Sequence, residues 1–143
     1  MFENLFDNGN IWVILVLEYI SISYWATSQV QNSKHPGARF LMPPWLFSNI
    51  AKNLTAIGIV SGLMVAVYIG LYDGFWAAIV GGLAINFMAP IIAMALRFER
   101  WVIHHFIAAT VLTPLAILIF FQYLPGDEDY DDYSQNINIT LTT

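Results

Sequence analysis

Residues 54–96 read LTAIGIVSGLMVAVYIGLYDGFWAAIVGGLAINFMAPIIAMAL, and this stretch decides the fold. Its only charged residue is Asp73, and Asp73-Gly74 is typical of a tight turn. The apolar runs on either side, 54–72 and 75–96, are each close to the ~20 residues that cross the ~30 Å hydrocarbon core of a bilayer as a helix. The stretch therefore predicts two transmembrane helices joined by a short turn.

Two more apolar segments flank this pair, at 11–27 and at 102–124. A single helix from 75 to 124 would be ~75 Å long at ~1.5 Å per residue, more than twice the thickness of the bilayer core. The charged residues at 97–100 offer the best place for the required break. We therefore predict an all-α integral membrane protein with four transmembrane helices (11–27, 54–72, 75–96 and 102–124) in an antiparallel bundle over residues 1–126. The acidic residues at 127–143 predict a disordered tail.

The composition of the chain agrees with this class. Apolar residues make up 58% of the 143 residues and charged residues only 10%, whereas soluble domains have about 25% charged residues. The absence of cysteine excludes disulfides, thiolate metal sites and a cysteine nucleophile. With five Lys and Arg residues in all, a basic face for nucleic acid is not expected.

The distribution of positive charge predicts the orientation in the membrane. Every Lys and Arg falls on one side of the four-helix topology: Lys34, Arg39, Lys52, Arg97 and Arg100. Because basic loops stay in the cytoplasm, we expect both termini on the non-cytoplasmic side of a bacterial cytoplasmic (inner) membrane or an organellar equivalent. The acidic N-terminus lacks the positive region of a signal peptide, so the first apolar segment is expected to remain as a membrane helix.

Small residues recur at four-residue spacing on the two central helices. They are Gly58, Gly62, Ala66 and Gly70 on the first, and Ala77 with Gly81, beside Gly74, Ala78 and Gly82, on the second. Stripes of this kind let helix backbones approach closely in lipid, where van der Waals contact drives association. One interpretation is that the stripes seal the hairpin, and the other is that one stripe docks another subunit.

Glu18 is the most informative polar residue because it lies near the middle of the first apolar segment. A carboxylate at the bilayer centre costs about 2.5–3.5 kcal/mol on insertion scales. Counting depth from the outer ends puts Ser61, Asn86 and Thr113 near the same level, which predicts a hydrogen-bonded layer of four side chains. Three interpretations of Glu18 stay open: a protonated acid bonded inside the bundle, a carboxylate paired with a cation of a partner subunit, and a proton- or ion-conducting group.

Two adjacent histidines raise the question of a cofactor. His104 and His105 diverge by ~100° on a regular helix, so they cannot bind one ion together, and the only other histidine, His35, falls in a loop. We expect neither haem nor a metal. Arg97, Arg100 and His104 instead follow helical spacing and predict a basic cytoplasmic edge that favours anionic lipid head groups.

No motif brings serine, histidine and acidic residues together, so we do not expect an enzyme. Small size, close-packing stripes and an uncompensated Glu18 favour a non-enzymatic accessory or scaffold subunit of a larger membrane complex, with other integral membrane subunits or further copies as partners. The alternative is a self-associating channel, holin-like pore or proton/ion pathway that uses Glu18 and Asn86. The face of Glu18 continues outward as Ile11, Ile14 and Leu15, which favours the subunit over a water-lined path.

Overall fold

A computed structural model describes residues 2–33 and 42–125, and within them it contains helices and no strand. The α-helices are α1 (Glu3–Asn8), α2 (Ile11–Asn32), α3 (Asn49–Ile59), α4 (Ser61–Asp73), α5 (Phe75–Ala95) and α6 (Val102–Gln122). Two 3₁₀ turns, Pro44–Phe47 and Phe98–Trp101, lead into α3 and α6. The predicted tail at 127–143 lies outside the described residues, as do Lys34 and Arg39.

Four helical segments are long and apolar enough to span a membrane, which confirms that part of the predicted fold class. They are α2, α3 together with α4 (Asn49–Asp73), α5 and α6. The last two begin where the sequence predicted, and they end at Ala95 and Gln122. Between them Arg97 adopts the left-handed conformation, with φ 52° and ψ 46°, and this turns the chain from α5 into the second 3₁₀ turn.

The first long helix extends to Asn32, five residues past the predicted end at 27. The predicted end of this helix was therefore wrong, because the polar residues that follow it are helical as well. The polar side chains of this last part find partners within the fold. Thr27 Oγ1 donates to the Ser23 carbonyl at 2.8 Å, and Gln31 Nε2 donates to the Leu46 carbonyl at 2.8 Å. Since these groups are satisfied, the helix continues through a stretch that composition alone assigns to a loop.

The second span begins at Asn49, where the Ser48 side chain accepts a hydrogen bond from the Ala51 amide and caps α3. This start is five residues before the predicted one at 54. The span is also interrupted at Val60, although the sequence predicted a continuous helix. The Val60 amide bonds to the Ile57 carbonyl at 3.1 Å, which is a 3₁₀ pattern. Gly58 and Gly62 weaken the helix on both sides of the break, because glycine costs ~1 kcal/mol in a helix interior.

α2 lies at the centre of the fold and packs against every other long helix. More than half of its span is buried, 56% against 33% or less for the other three. α4 and α5 are joined through Gly74 alone and pack along their lengths, while α6 packs mainly on α2. The arrangement is therefore a central helix that packs against the α4–α5 pair and against α6.

Aromatic residues mark both ends of the long helices. Trp12 and Trp76 are the second residues of α2 and α5, and both are exposed. At the opposite ends, Trp45 and Trp101 lie in the 3₁₀ turns that precede α3 and α6. Trp is enriched where the hydrocarbon core meets the head groups. Trp residues at the ends of these helices are compatible with helices that cross a bilayer.

The short helix α1 is held against the α4–α5 turn by Asp73. The Asp73 carboxylate accepts hydrogen bonds from the backbone amides of Asn4 at 3.2 Å and Leu5 at 3.0 Å. Asn4 Nδ2 also donates to the Tyr72 carbonyl at 3.2 Å. Asp73, the only charged residue of 54–96, therefore accepts hydrogen bonds from backbone amides in the first turn of α1. The sequence analysis did not predict this helix.

Candidate intramembrane polar site

Two hydroxyl groups contact backbone carbonyls at the break between α3 and α4. Ser61 Oγ contacts the Gly58 carbonyl at 2.6 Å and the Leu17 carbonyl at 3.1 Å, so it links the broken span to α2. Ser21 Oγ of α2 donates to the Ile59 carbonyl at a longer distance, 3.4 Å. Interrupted helices at membrane depth need such partners, because lipid offers none to the freed backbone groups.

Asn86 joins α5 to the same region. Its Nδ2 donates to the Gly62 carbonyl at 2.9 Å and to the Gly82 carbonyl at 2.8 Å. Gly62 has no room for a side chain: a Cβ there would lie 2.7 Å from Ser21 Oγ and closer still to Asn86 Oδ1. Three helices, α2, α4 and α5, therefore meet at Gly62 through polar side chains.

The predicted hydrogen-bonded layer of Glu18, Ser61, Asn86 and Thr113 does not form. Ser61 and Asn86 bond to backbone carbonyls near the break, and Thr113 Oγ1 donates to the Ala109 carbonyl of its own helix at 2.7 Å. The prediction was wrong because it counted depth and ignored the backbone. In a helix, Ser and Thr reach the carbonyl one turn back, and the break at Val60 supplies further acceptors.

Glu18 differs from these residues in having no partner. Both of its carboxyl oxygens are buried, and neither makes a hydrogen bond to any described residue. The side chain as a whole is only partly covered. Burying an unpaired polar group is costly, and native structures leave few such groups unsatisfied. Among the described residues, Glu18 is therefore the buried polar side chain that lacks a hydrogen-bond donor.

The face of α2 that carries Glu18 changes from open to covered along its length. Ile11 and Leu15, on the outer side of Glu18, are 44% and 51% exposed. Ile22, one turn further on, is 7% exposed and packs with Ala89 and Ala93 of α5. We call Ile11, Leu15 and the exposed part of Glu18 the open face of α2; Ile14, which the sequence placed on the same face, is buried, as are both Glu18 carboxyl oxygens. The open face is an uncovered surface on the most buried of the four spans.

The predicted small-residue stripes lie mostly between helices of this chain. A Cβ on Gly70 would lie 2.9 Å from Ala78 Cβ, and one on Gly82 would collide with Ala66. With Gly62 against Asn86, these contacts run along the α4–α5 hairpin.

The other members of the stripes face different neighbours. Gly58 packs directly on the ring of Tyr24. Ala77 is buried, and Gly81 lies against Phe2 and Ile69. The two stripes together therefore serve three contacts: between α4 and α5, with the central helix α2, and with the N-terminal segment.

Arg97, Arg100 and His104 are exposed at the α5–α6 turn, where the sequence predicted a basic edge. The His104 ring packs on Trp101 with centroids 5.4 Å apart. Lys52, in the first turn of α3, is exposed as well. Among the described residues, Lys52, Arg97 and Arg100 are thus exposed and can face head groups or a partner.

His105 takes part in an aromatic cluster that sequence reasoning missed. Its ring stacks on Phe98 with centroids 3.9 Å apart, and its Nδ1 is 2.9 Å from the Tyr19 hydroxyl. This cluster fixes the α5–α6 turn to α2. The only sequence signal for this cluster was that Tyr19 and His105 are polar residues within apolar segments. Their positions in the sequence do not indicate that the two side chains are in contact. His104 and His105 point to different neighbours, and no group of three metal-ligating residues is found in the described chain.

A cavity of about 550 Å³ separates α6 from the broken span. Its walls are apolar except for Ser61, Thr110, Thr113 and the edge of Tyr24. Thr110 Oγ1 donates to the Phe106 carbonyl at 2.8 Å and lies 3.0 Å from the Tyr24 hydroxyl. The hydroxyls that line the cavity are therefore already bonded within the chain, and the space is chemically apolar.

Comparison with known proteins gives no relative: no family model matches, and neither a curated protein nor a solved structure is significantly similar. The site must be interpreted from its own residues.

Proposed function

We propose that this chain is a non-enzymatic accessory or scaffold subunit of a larger integral membrane complex. The observation that carries the proposal is the open face of α2. The helix at the centre of the fold leaves Ile11 and Leu15 half exposed, beside a carboxyl group with no described partner. A second polypeptide on this face would cover the apolar side chains and complete the surroundings of Glu18.

The proposal includes a topology. Gly70 with Ala78, Ala66 with Gly82 and Gly62 with Asn86 are the contacts expected of antiparallel neighbours. Tyr72 Oη donates to the Tyr123 carbonyl at 2.8 Å, which supports placing both ends of the chain at the α1 end of the fold. The exposed Lys52, Arg97 and Arg100 favour the cytoplasm for the opposite end. The proposed location is a bacterial cytoplasmic membrane or its organellar equivalent.

A proton or ion pathway is the second candidate, and the break at Val60 favours it. Interrupted helices near the bilayer midplane form ion sites in several transporters. Glu18 lies one helical turn from Ser21, whose hydroxyl donates to the Ile59 carbonyl beside the break. Against this, the hydroxyl and amide donors at the break are engaged with carbonyls. The outward continuation past Ile11 and Leu15 is also apolar. These features make a subunit the better proposal.

Site-specific photocrosslinking in native membranes tests the proposed function. A photoreactive phenylalanine analogue at Leu15 is expected to give one discrete protein adduct. The same analogue at Leu118, a 69% exposed residue of α6, is expected to give lipid adducts only. Lipid adducts alone at both positions would contradict a partner on the open face.

A further inference from the structure

We propose that the open face of α2 binds a transmembrane helix of a different protein, and that this helix presents a Lys or Arg side chain to Glu18. This inference rests on the proposed function and names the chemistry of the partner. Its starting point is a carboxyl group at membrane depth with no described hydrogen-bond donor. A cationic donor satisfies such a group most strongly, because bonds between oppositely charged groups are about twice as strong as neutral ones.

The described part of the chain does not supply this cation. No described Lys or Arg forms a hydrogen bond or ion pair with Glu18. Lys52 lies in the first turn of α3, and Arg97 and Arg100 lie in the α5–α6 turn. In the sequence, Lys34 and Arg39 follow the end of α2. The basic residues that the structure describes therefore lie at helix ends and turns, whereas Glu18 is the eighth residue of a long apolar helix.

The same placement argues against a second copy as the occupant. A neighbouring copy would bring its basic residues to its own helix ends and only a second Glu18 to the same depth. A second Glu18 supplies no cation, and two ionised carboxylates side by side would repel each other. A cation at the level of Glu18 must therefore come from a chain of different sequence, which makes the predicted complex hetero-oligomeric.

The shape of the open face fits a helix as the occupant. Ile11, Leu15 and Glu18 follow the spacing of one helical stripe and run along α2 from its first turn. Inward from Glu18 the stripe is closed, because Ile22 packs in a cluster that includes Phe98 of the α5–α6 turn. The partner therefore contacts the outer half of α2. Both Glu18 carboxyl oxygens are buried in the chain by itself, so the proposal requires that the partner draws the carboxyl outward by rotation about its side-chain bonds.

Synthetic transmembrane peptides test this proposal in vesicles that contain the full chain. The probe is an acceptor-labelled Leu/Ala helix with one Lys at the depth of Glu18, and its control carries Leu at that position. The full chain bears a donor label at Asn53→Cys. We expect the Lys peptide to associate about tenfold more tightly than the Leu peptide, because intramembrane polar contacts contribute about 1–2 kcal/mol in peptides. In Glu18→Gln the preference is expected to fall below about twofold.

Two matched variants distinguish the contribution of the open face to peptide binding from the contribution of the Glu18 charge. Leu15→Trp places a bulky group on the open face and should weaken binding of both peptides, whereas Leu118→Trp on α6 should leave binding unchanged. Equal circular dichroism and thermal unfolding of Glu18→Gln and the natural chain establish that the variant folds.

Three results would overturn the proposal. They are equal affinity for the Lys and Leu peptides, a Lys preference that survives in Glu18→Gln, and energy transfer between two labelled copies that depends on Glu18. If the Lys and Leu peptides bind equally well while the Leu15 crosslink to a protein persists, the subunit role stands. The proposal that the partner presents a cation to Glu18 is then wrong. If the crosslink is also absent, the subunit role itself is wrong.

Discussion

At the scale of single residues, Gly62 is the point at which three helices meet. Any side chain there would push against Ser21 Oγ and the Asn86 amide oxygen. Gly62→Leu should therefore destabilise the fold by about 1–3 kcal/mol, the usual cost of overpacking, and more if the Asn86 bond to the Gly62 carbonyl is lost. Thermal unfolding in detergent measures the effect. Ala56→Leu, at an exposed position of α3, is the control, and equal stability of the two variants would refute close packing at Gly62.

Arg97 is a second residue whose backbone decides a local feature. Its φ of 52° is unfavourable for a residue with a side chain, by about 1–2 kcal/mol. Arg97→Gly removes this cost, but it adds flexibility to the unfolded chain, so a net gain of about 0.5–1 kcal/mol is expected. Arg97→Ala loses the same charge without relieving the backbone, and it should not gain stability. An Arg97→Gly variant that unfolds no later than Arg97→Ala would argue against the left-handed turn.

At the scale of helices, the sequence predicted the four spanning segments because their signal is long and continuous. It missed features that depend on contacts distant in sequence. The last turns of α2 are polar, and they become helical because Gln31 meets the Leu46 carbonyl. The break at Val60 depends on Ser61, Ser21 and Asn86 reaching carbonyls of the second span. Glu18 could be identified from the sequence alone, because an acidic residue within an apolar segment is recognised without knowledge of its tertiary contacts.

The helix α1 offers a test at the same scale. The Asp73 carboxylate bonds to the Asn4 and Leu5 amides, as a cap does at a helix start. Asp73→Ala should cost about 0.5–2 kcal/mol of α1 stability and speed hydrogen exchange of the α1 amides, with α2 to α6 unchanged. Asp7→Ala removes an equal charge from an exposed position, so it should leave exchange as it was. Similar exchange in both variants would show that Asp73 does not hold α1.

At the scale of the whole molecule, the chain has a buried helix at its centre and apolar surfaces around it. Exposed large side chains such as Leu63, Phe87 and Leu118 cover the outer faces of α4, α5 and α6. Surfaces of this extent are unusual for soluble proteins and ordinary in lipid. What distinguishes the open face of α2 is the carboxyl group beside it, because lipid can cover Leu15 but cannot pair with Glu18.

Orientation in the membrane is testable because the chain has no cysteine. A single Cys introduced at Ser134, in the C-terminal segment, should react with an impermeant thiol reagent in intact cells. A Cys at Asn53, which is exposed in α3 beside Lys52, should react only after the membrane is opened. The expectation follows from the sequence, in which every Lys and Arg falls on one side of the proposed topology. Labelling of Asn53→Cys alone in intact cells would reverse the proposed topology.

The mass and composition of the native particle test the central claim, that this chain is a subunit held through the open face of α2. The tagged chain is extracted in mild detergent from cells at its natural expression level, and its particles are weighed by native mass spectrometry. We expect one dominant particle that contains the chain and at least one other integral membrane protein in fixed proportion. Leu15→Trp should shift the chain to a smaller particle, and Leu118→Trp should not. A chain that is found alone, or only with further copies of itself, would contradict the account.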